Sequence, residues 1–222
     1  MQVLAPSHHV LARYGLTPRD GVTVVPRPVP AADSPVAPRL RNSGRPLRVG
    51  MFGQIAPHKG VMDLVSAVES LTPGLIELTV VGGAPTDEQS TYEADCGARI
   101  AALSTDSALL PRVPDIGPYA RACDVIVNLS HQEAFGRSIV EALAHGALPV
   151  VLDRSGPAEI VREAGRGTIL SDVSELAECL RVLADGSSAV DTAWTPGAAL
   201  SRYAPSRATA DYWRTALTSG SR

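Results

Sequence analysis

Val125-Ile126-Val127-Asn128-Leu129, then Ser138-Ile139-Val140-Glu141-Ala142-Leu143-Ala144-His145, then Leu148-Pro149-Val150-Val151-Leu152: these three successive stretches decide the fold. The first and third are short runs of continuous apolarity, and the second has a helical spacing of apolar residues. An unbroken apolar run of this length is a strand covered on both faces, which is the mark of a parallel sheet. The same alternation recurs upstream. Val49–Phe52 and Leu78–Val81 read as further strands, and Val61–Leu71 reads as a helix, with Met62, Val65, Val68 and Leu71 at helical spacing. Further helices are expected around Thr86–Leu103, Ile116–Cys123, Ser138–His145, Pro157–Glu163 and Ser174–Ala184. Strand–helix alternation predicts an α/β fold with a doubly wound parallel sheet, whose ligands bind at the carboxyl ends of the strands. The loops after Phe52, Val81, Leu129 and Leu152 are therefore the places to look for chemistry.

Around this core the chain divides by composition. Residues 1–30 hold a short helical piece around Val10, Leu11 and Tyr14, ended by Gly15, and the extended run Val22-Thr23-Val24-Val25. Six prolines between Pro26 and Pro46, with Asp33 the one acidic residue among them, give residues 31–46 the composition of an extended linker. Residues 47–185 carry the strand–helix pattern. Residues 186–222 hold both tryptophans, Trp194 and Trp213, with Tyr203, Tyr212 and a helix expected over Arg207–Leu217. So aromatic a tail needs a surface to pack on, and this same domain is the nearest one. In this chain by itself, Trp194, Trp213 and Tyr212 are nevertheless expected to be exposed and to leave an apolar surface that favours self-association.

Composition excludes several classes of function. The 222 residues are too few for two full-sized α/β domains, and no apolar run is long enough to span a membrane. A net charge of −3 gives no support for a nucleic-acid partner. Cys96, Cys123 and Cys179 show no paired spacing, which reads as free thiols and a cytoplasmic setting. The five histidines form no ligand-spaced cluster, so no metal and no bound cofactor are expected. Of the twenty basic residues nineteen are arginine and one is Lys59, which makes that lysine conspicuous.

Lys59 lies in the loop Gly53-Gln54-Ile55-Ala56-Pro57-His58-Lys59-Gly60, directly before the first helix. Two glycines, a helix N-terminus and an ammonium suit a phosphate group, although neither a P-loop nor a G-x-G-x-x-G pattern is present. An ordinary strand–helix loop with a solvated lysine accounts for the same residues. The loop after Leu129 is richer, running Ser130-His131-Gln132-Glu133-Ala134-Phe135-Gly136-Arg137-Ser138 into the helix that carries Glu141. Ser138 with Glu141 has the spacing of a capping box, as has Ser130 with Glu133. The alternative puts Glu133 in the loop and Glu141 one turn into the helix, both facing one cleft, with the Gly136–Ser138 amides available to an anion. Gly156-Pro157-Ala158-Glu159 reads as ordinary helix-start chemistry.

Several of these motifs occur together in a known order. Glu133-Ala134-Phe135-Gly136-Arg137-Ser138-Ile139-Val140-Glu141, then Pro149-Val150-Val151 and Gly156-x-x-Glu159-Ile160-Val161, resembles the donor-binding half of retaining GT-B glycosyltransferases, the group 1 or family 4 class. Gly53-x5-Lys59-Gly60, Val80-Val81-Gly82-Gly83 and Tyr119-Ala120-Arg121-Ala122-Cys123-Asp124-Val125 extend the match across residues 47–185. The resemblance implies a Rossmann-like C-terminal half of a GT-B fold and a nucleotide-sugar donor with a UDP, GDP or ADP carrier. Catalytic roles fall to Lys59, on the diphosphate leaving group, and to Glu133, on hydroxyls of the transferred sugar. Glu141 would hold the ribose hydroxyls, and Gly53, Gln54, Phe135, Gly136, Arg137 and Ser138 would complete the donor site, without a metal. Gln54 stands where the family commonly has arginine, so either the leaving group is less well stabilised or Arg137 shares the diphosphate. Residues 1–30 resemble only the last strand–helix of the acceptor-binding half, which makes that missing half the implied partner, and with it a peripheral membrane association. A nucleotide-sugar-binding relic without catalysis and a GT-B-like epimerase are the two rival readings.

Overall fold

The computed structural model describes residues 3–19, 21–38, 44–103, 106–153, 155–186 and 194–218. Its centre is a parallel sheet of six strands: β3 (Leu47–Gln54), β4 (Ile76–Gly83), β5 (Ala108–Leu110), β6 (Val125–Asn128), β7 (Leu148–Leu152) and β8 (Thr168–Leu170). They lie in the order β5-β4-β3-β6-β7-β8. Helices α2 (Val61–Glu69), α3 (Ser90–Ala101), α4 (Gly117–Ala122), α5 (Arg137–Ala144), α6 (Gly156–Ala164) and α7 (Leu176–Ala184) connect them. The expected doubly wound α/β fold is what forms.

Two cores explain why the strands read as continuous apolar runs. Val49, Leu78, Val125 and Val150 pack into one core with residues of α2, α3 and α7. Phe52, Val81, Ile126 and Val151, each on the opposite face of the same four strands, pack with residues of α4, α5 and α6. Alternate residues enter different cores, so the runs are almost entirely apolar. The buried face of α2 is Val61, Leu64, Val65 and Val68, one step round from the expected stripe, and Met62 and Leu71 pack at its border. The edge strands β5 and β8 were not expected. Each is three residues long and mostly half-buried, which leaves little periodic signal. The helices expected from Thr86 and Ser174 both open with a short 3-10 turn before α3 and α7 begin. At the start of β6, burial pushes the Asp124 carboxyl up, but hydrogen bonds from Arg45 and Arg48 outweigh it and hold the group below its usual range.

The flanking pieces pack on this domain. β1 (Val3–Ala5) and β2 (Val22–Val24) form a separate parallel pair around α1 (His8–Arg13). The Glu159 carboxylate on α6 accepts the backbone N–H groups of His8 and His9, so it caps α1 across the chain in addition to opening its own helix. Within the proline-rich stretch Val29 is fully buried, Pro30–Asp33 makes a 3-10 turn, and Val36 donates its N–H to Ala144. The linker-like composition therefore lies along the domain surface, because proline supplies the fixed φ that such a turn needs. In the tail, α8 (Pro196–Leu200) and α9 (Pro205–Thr218) bring Tyr203 into the second core, where its hydroxyl donates to Glu163. Trp194 is half-buried beside them, its indole N–H 2.6 Å from the Ala164 carbonyl oxygen and its ring under the Arg166 guanidinium. The expectation of an uncovered Trp194 is thus corrected. The side chains of Tyr212 and Trp213 lie outside the described residues.

Candidate functional site

The chain runs from β3 outward to β5, then returns to place β6 on the other side of β3. Between β3 and β6 the winding reverses, and the loops at the carboxyl ends of these two strands part around a cleft. Its volume is about 370 Å³. Gly53 and Gln54 line it from the end of β3, Asn128 from the end of β6, Lys59 and Glu133 from the two loops, and Gly136, Arg137, Ser138 and Glu141 from the start of α5. Thus the cleft gathers every site residue named from the sequence except Phe135. Close packing makes the convergence possible. A Cβ on Gly82 would stand 1.8 Å from the Gly53 carbonyl oxygen, so only glycine lets β3 and β4 approach so closely beside the cleft.

Phe135 is the correction. Its side chain is buried in the second core, with its ring centroid 5.9 Å from that of Tyr203, and it does not line the cleft. The resemblance implied a place in the donor site, but burial of its large apolar surface decides its position. The loop around it is held at three points. Gly156 donates its N–H to the Glu133 carbonyl at 3.0 Å, the buried Ser7 hydroxyl donates to the Ala134 carbonyl at 2.5 Å, and Phe135 anchors the turn.

The capping-box reading fails at both places. Gly136, at φ +91°, is the residue that caps α5, so the helix begins at Arg137 and Ser138 lies inside it. A Cβ on Gly136 would meet Pro157 at 2.6 Å, so both its φ and its space call for glycine. Ser130 starts no helix, and its buried hydroxyl has no hydrogen-bond partner. The amides of Arg137 and Ser138 fall in the first turn of α5, where a helix has no carbonyl of its own to offer them.

Two ion pairs line the cleft. The Lys59 ammonium lies 2.6 Å from the Glu133 carboxylate, with 19% and 24% of these side chains exposed. Arg137 pairs with Glu141 at 3.2 Å, but there the arginine is 65% exposed and the glutamate 13%. Burial pushes the Glu141 carboxyl above the ordinary range, Arg137 pulls it back, and nearby Asp115 adds to the rise. Lys59 ends a 3-10 turn, Pro57–Lys59, closed by Gly60 in the left-handed region. Asn128 and the apolar residues Ile116, Val61 and Val80 also line the cleft and were missed. Asn128 had a signal, as the one polar residue in the run Val125–Leu129. Among the described residues no three His, Cys, Asp or Glu side chains converge to hold a metal ion, and no helix is long and apolar enough to cross a membrane.

A doubly wound parallel sheet with a charged cleft at its switch point defines an α/β protein of the Rossmann-like class, and sequence comparison gives the family. Residues 46–185 match the glycosyl transferases group 1 family, and the chain belongs to it. It is 32% identical over 126 residues to the lipopolysaccharide core biosynthesis mannosyltransferase LpcC of Rhizobium leguminosarum bv. viciae, across 55% of this chain and 36% of that protein. Among solved structures, Anabaena HepE in complex with UDP and glucose superposes with a TM-score of 0.79 at 22% identity, over 98% of this chain and 63% of that one. The lipopolysaccharide outer core galactosyltransferase WaaB superposes with a TM-score of 0.74 at 17% identity, over 98% and 62%. This chain therefore spans about a third of LpcC and less than two thirds of either solved relative.

Proposed function

We propose that this chain is the donor-binding half of a retaining, metal-independent family 4 glycosyltransferase, which transfers a hexosyl group from a nucleotide sugar to a glycan, lipid or small-molecule acceptor. The observation that carries the reading is the meeting of Lys59, Glu133 and Glu141 in one cleft at the switch point. HepE has been solved with UDP and with UDP-glucose, which supports a nucleotide sugar as the ligand class. In this scheme the bond from the anomeric carbon to the diphosphate breaks, the diphosphate leaves with the electron pair, and the acceptor oxygen bonds to that carbon and gives its hydroxyl proton to the departing diphosphate. Negative charge grows on the leaving group, where Lys59, Arg137 and the first-turn amides of α5 stabilise it. Glu133 accepts from hydroxyls of the transferred sugar, and Glu141 from those of the ribose.

Transfer needs an acceptor held against the donor. That task belongs to an acceptor-binding half, which also brings any peripheral contact with a membrane, in a protein working in the cytoplasm. The β1–β2 pair supports this division, since two parallel strands are too few to be a sheet in their own right. The test is calorimetry with UDP, GDP and ADP and their hexose conjugates. The chain is expected to bind one carrier in the micromolar to millimolar range, about 4–8 kcal/mol. Lys59→Ala should weaken that binding by about 1.5–3 kcal/mol with the fold intact. Unchanged affinity in this variant removes Lys59 from the site.

A further inference from the structure

The charged side chains that line the cleft pair off and cancel. Lys59 is held by Glu133 and Arg137 by Glu141, so the positive charge that would meet a diphosphate is already engaged by the protein's own carboxylates. We propose that Glu133 is a resident counter-anion on Lys59, and that its displacement makes the cleft prefer a sugar-bearing donor to the bare nucleoside diphosphate. The inference rests on the donor-binding reading above and assigns Glu133 a specificity-determining role within it.

An ammonium has three donors, so a diphosphate can reach Lys59 before Glu133 leaves. Carboxylate and phosphate then share one cation, and like charges within a few ångströms repel. Relief comes from turning the Glu133 side chain away, and the surroundings leave that as the available motion. The backbone there is pinned, the Glu133 carbonyl by the Gly156 N–H, the Ala134 carbonyl by the Ser7 hydroxyl, and the turn by buried Phe135. The carboxylate itself is part-exposed and lines the cleft. Once turned away, it has lost its cation. A sugar brings hydroxyl donors to replace the ammonium, whereas a bare nucleoside diphosphate brings none at that position. The exchange therefore penalises the product more than the donor, and product release is aided by the return of Glu133 to Lys59.

Glu133→Gln keeps the shape and removes the competing charge. Calorimetry on the full 222-residue chain at fixed ionic strength would compare UDP, GDP and ADP with their hexose conjugates. The variant should bind the accepted nucleoside diphosphate about fivefold tighter than the parent, about 1 kcal/mol. The conjugate should bind no tighter, so the parent's preference for it shrinks. Glu133→Ala should shift nucleoside-diphosphate affinity in the same direction, and a melting curve for each variant establishes that it is folded. Equal or weaker nucleoside-diphosphate binding in both variants overturns the exchange while leaving the donor site standing. An equal gain for diphosphate and conjugate overturns the discrimination. If the parent binds none of the six compounds, the donor-binding reading itself falls.

Discussion

The loop that carries Glu133 and the first turns of α5 that carry Glu141 present the same side chain to the same cleft in different electrical settings. Glu133 sits on irregular backbone, partly exposed, against a lysine that is itself largely covered. Glu141 sits on a helix, more deeply buried, against an arginine that is mostly in solvent and therefore well screened. Burial consequently dominates at Glu141 and raises its carboxyl, whereas the outstanding feature of Glu133 is its 2.6 Å contact with Lys59. Two identical residues eight positions apart are thus distinguished by what surrounds them. One is held by a largely covered cation, and the other lies poorly solvated beside a well-screened one.

The contrast depends on the joint between the two regions, and the largest expected effect falls there. Phe135→Ala should cost about 3–5 kcal/mol of stability, as removal of a buried aromatic does. Denaturant melts would measure it, and a folded variant whose only loss is ligand affinity would return Phe135 to the cleft. Gly136→Val forces a β-branched side chain into φ +91° and onto Pro157. The expected loss is about 2–3 kcal/mol, with a melting temperature lower by roughly 5–10 °C. An unaltered melting temperature would mean that the joint tolerates another geometry. Ser7→Ala removes both the hydrogen bond to Ala134 and the side-chain cap that accepts the Val10 N–H. A loss of about 1–2 kcal/mol should follow, with partial recovery in Ser7→Thr, and melts of the two variants would show it.

The smallest effect carries a sign. The fold raises the Glu141 carboxyl, so the folded chain holds this proton to higher pH than the unfolded chain does. This group's contribution to stability is fully present below the ordinary carboxylate range and is lost as pH rises through the raised value. Glu141→Gln abolishes that decline. Without ligand at neutral pH it should be slightly more stable than the parent, by less than about 1 kcal/mol, and the difference should fade near pH 4. Melts across that pH range decide it. A uniform destabilisation would instead mean that Glu141 supports the helix as a cap, with no part in the contrast.

How far the sequence anticipated this arrangement varied with the kind of signal. The four central strands were legible because burial on both faces makes nearly every residue of their runs apolar, and β5 and β8 were too short to show it. The cleft residues were legible from their place after β3 and β6 and from the solitary Lys59. What failed was local chemistry with two solutions. Ser138 and Glu141 have capping spacing, yet Gly136 takes the cap by turning left-handed one residue before the helix. Glu159 is a sound first-turn residue for α6, yet its carboxylate is spent on α1, a partner some 150 positions away that no local window contains.

That last contact bears on how far the family's sequence boundary is a mechanical one. Cut before residue 46, the remaining domain would keep every strand of the central sheet while baring Glu159, the Ala134 carbonyl and the surface under Val29 and Ala32. In a chimaera that joins this domain to a foreign one, residues 3–38 should therefore travel with the domain they grip. The recombination point lies upstream of β1, and the proline-rich stretch, for all its appearance, is a poor place for the splice.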